Sequence, residues 1–380
     1  MFDLSSILVS VAYSLCDVFG FDPNEVDPAI TVDGYAIPDP ATLADPVAAS
    51  YAAYLRSAIP SIDPNYQFRK DMVRDIRYWW LTGRGDDVLL LWGPTGSGKT
   101  SVFEQWCARL GIPLFMAKGH RRFEPMEAFG QFVGGENGTT PWVDGPVTLA
   151  ARYGLPCIIN EYDRIAADRT IVFNDVFEGR SFPIPGKSGE VVTPQPGFAV
   201  VLTANTNLVE DLSGNYGTAN THDMSILERI VALHVGYPTD ETETKLLEKE
   251  LEVFSDDLLT YWFDQEGIKL STQQGMKEGS AINRSEFIAG LVEVARRIRA
   301  QSKDGGNTSD AALERTMSTR ILRKWARNTL AMASTPEKLG LSSLHMSLKK
   351  YLSSLATEST RIALHQAVES VFGVGEVVKP

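Results

Sequence analysis

The segment GPTGSGKT at residues 93–100 constrains this 380-residue chain more than any other feature. It follows the apolar run DVLLLW (87–92) and opens a stretch with helical spacing, so a buried strand must pass through a glycine-rich turn into a helix N-terminus. Gly93, Gly96 and Gly98 let backbone N–H groups turn inward, Pro94, Thr95 and Ser97 complete the loop, and the following helix offers its positive end to phosphate. Lys99 is placed to reach the β and γ phosphates and the Thr100 hydroxyl to bind magnesium, so ATP and Mg2+ are the expected ligands. Typical residue frequencies make this motif roughly a one-in-a-hundred chance event in a chain of such length.

Around the loop the pattern is α/β. Apolar runs at 87–92, 113–117, 155–160 and 199–203 read as buried strands, and 71–81 and 101–110 as helices, which together predict a parallel sheet with right-handed crossovers. Beyond about Pro238 only helical spacing remains, at 241–253, 286–300, 317–333, 344–355 and 359–372, with KDGGNTSD (303–310) as a loop. The first 21 residues read as a packed helix. Residues 21–66, rich in Pro and Asp, read as an extended arm with a short helix near 48–58. The expected organisation is an N-terminal helix and arm (1–67), an α/β nucleotide domain (68–237) and an all-α lid (238–380).

Composition narrows the class further. A formal charge of −12 argues against a protein that coats nucleic acid, although a basic pore fits inside an acidic shell. Cys16, Cys107 and Cys157 form no C-x-x-C pair and the histidines show no ligand spacing, so neither a disulfide framework nor a zinc site is expected, and a reducing cytoplasm is the natural compartment. The apolar N-terminus has no basic flank, carries Asp3 and Asp17 and is shorter than a membrane span, so no membrane association is expected.

Hydrolysis of a bound triphosphate needs an acidic group near the metal and a base for the attacking water. The strand LPCIINEYDRI offers Glu161 as the base, while Asn160 stands where an aspartate is expected and serves the metal side through a hydrogen bond without charge. Asp163 reads either as partial compensation for that missing charge or as a cap for the next helix. Asn205, at the end of FAVVLTANTN, reads as a holder of the lytic water or as a simple turn residue.

These residues resemble the MoxR branch of AAA+ ATPases, and within it most closely the CobS subunit of aerobic cobaltochelatase. The similarity runs through DVFGFDPNEVDPAI, IPSIDPNYQF, GPTGSGKT, NEYDR (the family has DEYD), TANT, DLSGNYGTANTHDMSILERIV and MSTRILRKWARN. It implies an AAA+ P-loop NTPase core with a lid, a hexameric ring with ATP at subunit interfaces, Arg229 of ILERI as an arginine finger toward a neighbour or else a surface salt bridge, and Arg320 of MSTR as the sensor-2 arginine or else ordinary lid packing or surface charge. It also implies hairpins over 130–146 and 181–196 facing a pore, with Phe132 and Trp142 as gripping residues or as local packing.

Three functions fit: a motor that remodels a partner protein, commonly one with a von Willebrand A domain in this family; an ATPase driving cobalt insertion by a separate chelatase subunit; or a nucleic-acid translocase or mobile-element accessory, for which RKWARN, RRIR and GHRR supply basic clusters. Asn160 generates a direct test. Asn160→Asp is expected to speed turnover or relax its Mg2+ requirement, and a steady-state assay across Mg2+ concentrations that finds neither changed rejects the reading of Asn160 as a weakened metal-side residue.

Overall fold

The computed structural model describes residues 4, 6–135, 138–187, 189–209, 224–257, 259, 271–272, 275–276, 283–302, 312–333 and 342–374. The expected loop at 303–310 and all of DLSGNYGTANTHD lie outside the described residues. The chain divides into two compact units: the first holds the described residues up to Val235 except Pro94–Ser97, and the second holds Pro94–Ser97 together with Gly236 onwards.

The N-terminus departs from the expected helix. β1 (Val9–Ser14) pairs antiparallel with β2 (Thr31–Ala36), and only Leu15–Phe19 between them is helical. Val9, Val11 and Tyr13 are strand-favouring residues at alternate positions, and in a short apolar run the choice between helix and strand is made by the available partner. The arm is part of the first unit's core. Leu15, Phe19, Phe21 and Val32 pack with Trp79, Trp80 and Trp106, and the Phe19 ring stacks on Trp106 at 5.0 Å. The expected short helix of the arm forms at Pro46–Ser57, started by the Asp45 carboxylate accepting the Val47 N–H. Gln105 ties down the stretch after it, donating to the Ser61 carbonyl at 2.9 Å and accepting the Asp63 N–H at 2.8 Å.

Along the chain follow β3 (Val88–Trp92), β4 (Phe115–Lys118), the hairpin of β5 (Gly130–Phe132) and β6 (Trp142–Asp144), β7 (Pro156–Asn160), the hairpin of β8 (Phe182–Pro183) and β9 (Val191–Val192), β10 (Ala199–Ala204) and β11 (Ile230–His234). Five of them form one parallel sheet in the order β11-β3-β10-β7-β4. Apart from Asn160 and Thr203 near their carboxyl ends, β3, β7 and β10 are apolar because both faces of the sheet are covered. β11 was not anticipated: no Gly or Pro separates IVALH from the preceding Met224–Leu227 helix, so the run reads equally as its continuation. The register sets Trp92 beside Ala204 and Ile159 beside Leu202, which brings the loops leaving β3, β10 and β7 together at one edge. In sheets of this kind ligands bind at the carboxyl ends of the strands.

The second unit packs the helices Asp240–Leu251, Arg284–Gln301, Thr319–Ala333, Ser343–Tyr351 and Glu358–Phe372 around a core that includes Trp325, whose indole N–H donates to the Leu344 carbonyl at 3.0 Å. It is not wholly helical: Ser271–Thr272 pairs antiparallel with Gly275–Met276. Among the described residues no helix is long and apolar enough to cross a membrane.

Gln105→Leu removes both hydrogen bonds to the arm while keeping apolar bulk. The expected result is a loss of about 1–3 kcal/mol of arm attachment, read as faster limited proteolysis at residues 59–67 with the second unit unaffected.

Candidate functional site

The glycine loop takes the backbone its residues allow. Gly93 has φ +150°, and a Cβ there would stand 2.4 Å from the Val235 carbonyl oxygen. Gly98, at φ +97°, opens the Lys99–Arg109 helix, and a Cβ built on it meets nothing within 4 Å, so space beside the helix N-terminus is open. Lys99 Nζ donates to the Gly93 carbonyl at 2.9 Å and to Asn205 Oδ1 at 3.0 Å, joining the end of β3 to the end of β10. Thr100 Oγ1 donates to Asn160 Oδ1 at 2.9 Å, joining the loop to the end of β7. Thr203 Oγ1 donates to that same Asn160 oxygen and accepts the Glu161 N–H at 3.1 Å.

Glu161 carries φ +57°, one of two non-glycine residues with positive φ among the described residues. Such a conformation costs of order 1–3 kcal/mol and persists where the surroundings dictate it. Here the dictating groups are Thr203 on its N–H and Gly119, whose own N–H donates to the Asn160 carbonyl at 2.6 Å. The Glu161 carboxylate faces the Arg164 guanidinium at 3.0 Å.

Asp163 is not the cap of the next helix. It is almost fully buried within the turn Tyr162–Arg164, the next helix is preceded by Ala166, and its Oδ2 accepts the Asn205 N–H at 2.8 Å. Burial pushes its pKa up, opposed by the N–H groups of Asn205 and Thr206 and by the charges of Lys99 and Arg164. Asp163 is therefore the support on which Asn205 sits.

Within the first unit, Arg229 lies apart from this constellation. Arg229 directly precedes β11, and its carbonyl accepts the Val88 N–H at 2.9 Å, at the beginning of β3. Lys99 follows the other end of that strand, about 13 Å further along at strand rise. The Arg229 guanidinium is paired with Glu178, which also meets Arg180 at 2.5 Å. Arg320 belongs to the second unit and is exposed. Within that unit it lies close to the loop tip: a Cβ on Gly96 would stand 3.8 Å from Arg320 Cβ and 2.8 Å from Ser318 Cβ. Tyr237 donates from its hydroxyl to the Thr95 carbonyl at 3.4 Å.

Residues 88–222 match the AAA domain of the dynein-related subfamily, and residues 276–371 match the CbbQ/NirQ/NorQ C-terminal family. NorQ of Paracoccus denitrificans is 31% identical over 167 residues, covering 43% of this chain and 58% of NorQ. CbbQ of Hydrogenophilus thermoluteolus is 30% identical over 162 residues, with 43% and 58% covered. The gas vesicle ATPase GvpN of Haloferax mediterranei is 25% identical over 198 residues, with 47% and 54% covered. The match thus spans just over half the length of these relatives. The chain carries an AAA domain followed by a C-terminal region of the CbbQ/NirQ/NorQ type.

In this AAA+ chain the residues present fit a nucleotide and its metal. Space is open at Gly98 beside the helix N-terminus, the Ser97 hydroxyl is buried with no hydrogen-bond partner among the described residues, and the Thr100–Asn160 oxygen pair is the hard donor set that Mg2+ takes. The two expected hairpins also form. Phe132 and Trp142 pack edge to face at 5.0 Å; the Trp142 indole donates to Asp144 Oδ1 at 2.7 Å, while Phe132 remains 58% exposed. Arg152 binds the hairpins to each other, pairing with Asp144 of β6 at 2.8 Å and with Glu190 just before β9.

Gly119, Thr203 and the bond from Asn205 to Asp163 escaped the sequence reading. Only Gly119 left a trace there, as a glycine ending a strand, a common mark of close backbone approach. A Cβ on it would lie 2.5 Å from the Glu161 carbonyl oxygen. Gly119→Ala is accordingly expected to cost about 1–3 kcal/mol in a denaturant melt and to disturb Glu161 while leaving the Lys99 loop intact; an unchanged melt refutes the contact.

Proposed function

We propose that this chain forms a ring that hydrolyses ATP at its subunit interfaces and uses the energy to remodel a partner protein. The observation that supports it best is the convergence of Lys99, Thr100, Asn160, Glu161 and Asn205 at one edge of the sheet, with Arg229 at the other end of β3. Lys99 and the loop amides hold the phosphates. Thr100 and Asn160 are the residues that would hold Mg2+, which when bound neutralises phosphate charge. Glu161 takes a proton from the attacking water, and Asn205, already within reach of Lys99, orients that water at the γ-phosphate. Arg320 touches the γ-phosphate of its own subunit. Arg229 is on the wrong side of β3 to serve its own site, and its natural target is the nucleotide of a neighbour, released from Glu178 when that neighbour docks.

The formal charge of −12 favours a protein client over a nucleic acid. A partner with a von Willebrand A domain is the family-level candidate, hairpin residues such as Phe132 are the gripping surface, and a reducing cytoplasm is the setting. The CobS-like arm segments support a narrower version in which the partner is a chelatase subunit that inserts cobalt and supplies its ligands; among the described residues no three His, Cys, Asp or Glu side chains are grouped to hold a metal.

Complementation tests the shared site. Lys99→Ala is expected to lose ATP binding, and Arg229→Ala to bind ATP normally but hydrolyse it at least about 10³-fold more slowly. Mixed, the two variants regain part of the activity, because some interfaces pair an intact Lys99 with an intact Arg229. No recovery on mixing, or unaltered turnover by Arg229→Ala, removes the ring reading, and stimulation by DNA rather than protein replaces the client.

A further inference from the structure

The second unit contains a buried charge pair that the proposed reaction does not yet use. Glu243, on the Asp240–Leu251 helix, is fully buried. The Arg299 guanidinium grips both of its carboxylate oxygens, each at 2.8 Å, and donates from Nε to the Met317 carbonyl at 2.7 Å. Thr319 Oγ1 donates to Glu243 Oε1 at 2.6 Å. Ser318, between those two residues, starts the Thr319–Ala333 helix: its Oγ accepts the Ile321 N–H at 3.3 Å and its carbonyl the Leu322 N–H at 2.8 Å. Three consecutive residues are thus individually fastened, and the next one is Arg320.

The same guanidinium lies over the Tyr237 ring, 4.4 Å from its centre, and Tyr237 is hydrogen-bonded to Thr95. On the other side of the segment, Ser318 abuts Gly96, at φ +77°. Arg299 therefore touches the Arg320 segment directly and the loop tip through one aromatic ring. A buried ion pair is weak as a source of stability, because desolvating two charges offsets most of their attraction, and an apolar replacement often does as well. Its bidentate geometry fixes orientation instead. From this we infer that Glu243 and Arg299 are positioning residues for nucleotide: they hold Met317–Thr319 so that Arg320 and the loop residues Thr95 and Gly96 keep a fixed relation to each other. The inference rests on the ATP reading above and adds to it the residues that set the affinity of the lid-side contact.

The test is a titration of the full-length chain with N-methylanthraniloyl-labelled ATP and Mg2+, alongside thermal melts. Arg299→Lys keeps the charge but loses the fork, and Thr319→Val removes one hydroxyl at nearly constant volume. Each is expected to weaken binding about 10-fold with the melt little changed, and Thr319→Ser to restore it. In an Arg320→Ala background, adding Arg299→Lys should cost less than about 2-fold more, because contacts acting through one group do not add. Unchanged affinity in both Arg299→Lys and Thr319→Val overturns the inference, as does a full further loss in the Arg320→Ala background. If the unaltered chain fails to bind the probe, the ATP reading itself falls and carries this one with it; normal binding by the unaltered chain with insensitive variants removes the positioning role alone.

Discussion

Parallel pairing of β3, β10 and β7 is the constraint from which the site follows. The register leaves Trp92, Ala204 and Asn160 at one edge, and the polar groups beyond them bond across strands rather than along the chain. Lys99 crosses to Asn205, Thr100 crosses to Asn160, and Thr203 crosses to both Asn160 and Glu161. A slip of one residue in any of these strands would turn its side chains to the opposite face and undo each bond at once. Buried beneath them, Asp163 fixes the start of the loop after β10 by accepting the Asn205 amide. The cost of that buried carboxyl is lowered by the two amides and two cations around it.

Strain and close approach concentrate at the same place. Glu161 is held in a left-handed backbone with Thr203 on its amide and Gly119 against its carbonyl. This geometry fixes the direction in which the Glu161 side chain leaves the backbone, and a defined starting direction helps to place a base for water. Asn160 beside it is neutral and accepts two hydroxyl hydrogen bonds on one oxygen, whereas an aspartate there would make the stronger charge-assisted kind.

The proposed ring has a geometric root in the length of β3. Lys99 follows one end of the strand and the Arg229 carbonyl is bonded to the other, so one protomer presents a phosphate loop on one side of its sheet and a cation on the other. Glu178 partners that cation within the protomer, which spares Arg229 the cost of an uncompensated half-buried charge. The two hairpins joined by Arg152 form a second outward feature, with Phe132, Val143 and Val191 exposed on them.

Much of this was legible in the residues themselves. GPTGSGKT after an apolar strand, Asn160-Glu161 closing a second and Asn205 closing a third are local patterns, and local chemistry dictates both the strand and the loop that ends it. The N-terminal hairpin, β11, and the roles of Thr203, Gly119 and Asp163 were not legible, because each is decided by a partner far along the chain: β2 for β1, β3 for β11, Asn160 for Thr203, Glu161 for Gly119 and Asn205 for Asp163. Sequence alone determined that a phosphate-binding turn would form; tertiary structure alone decided what stands around it, since hydrogen bonds between strand ends depend on a register that no single strand contains.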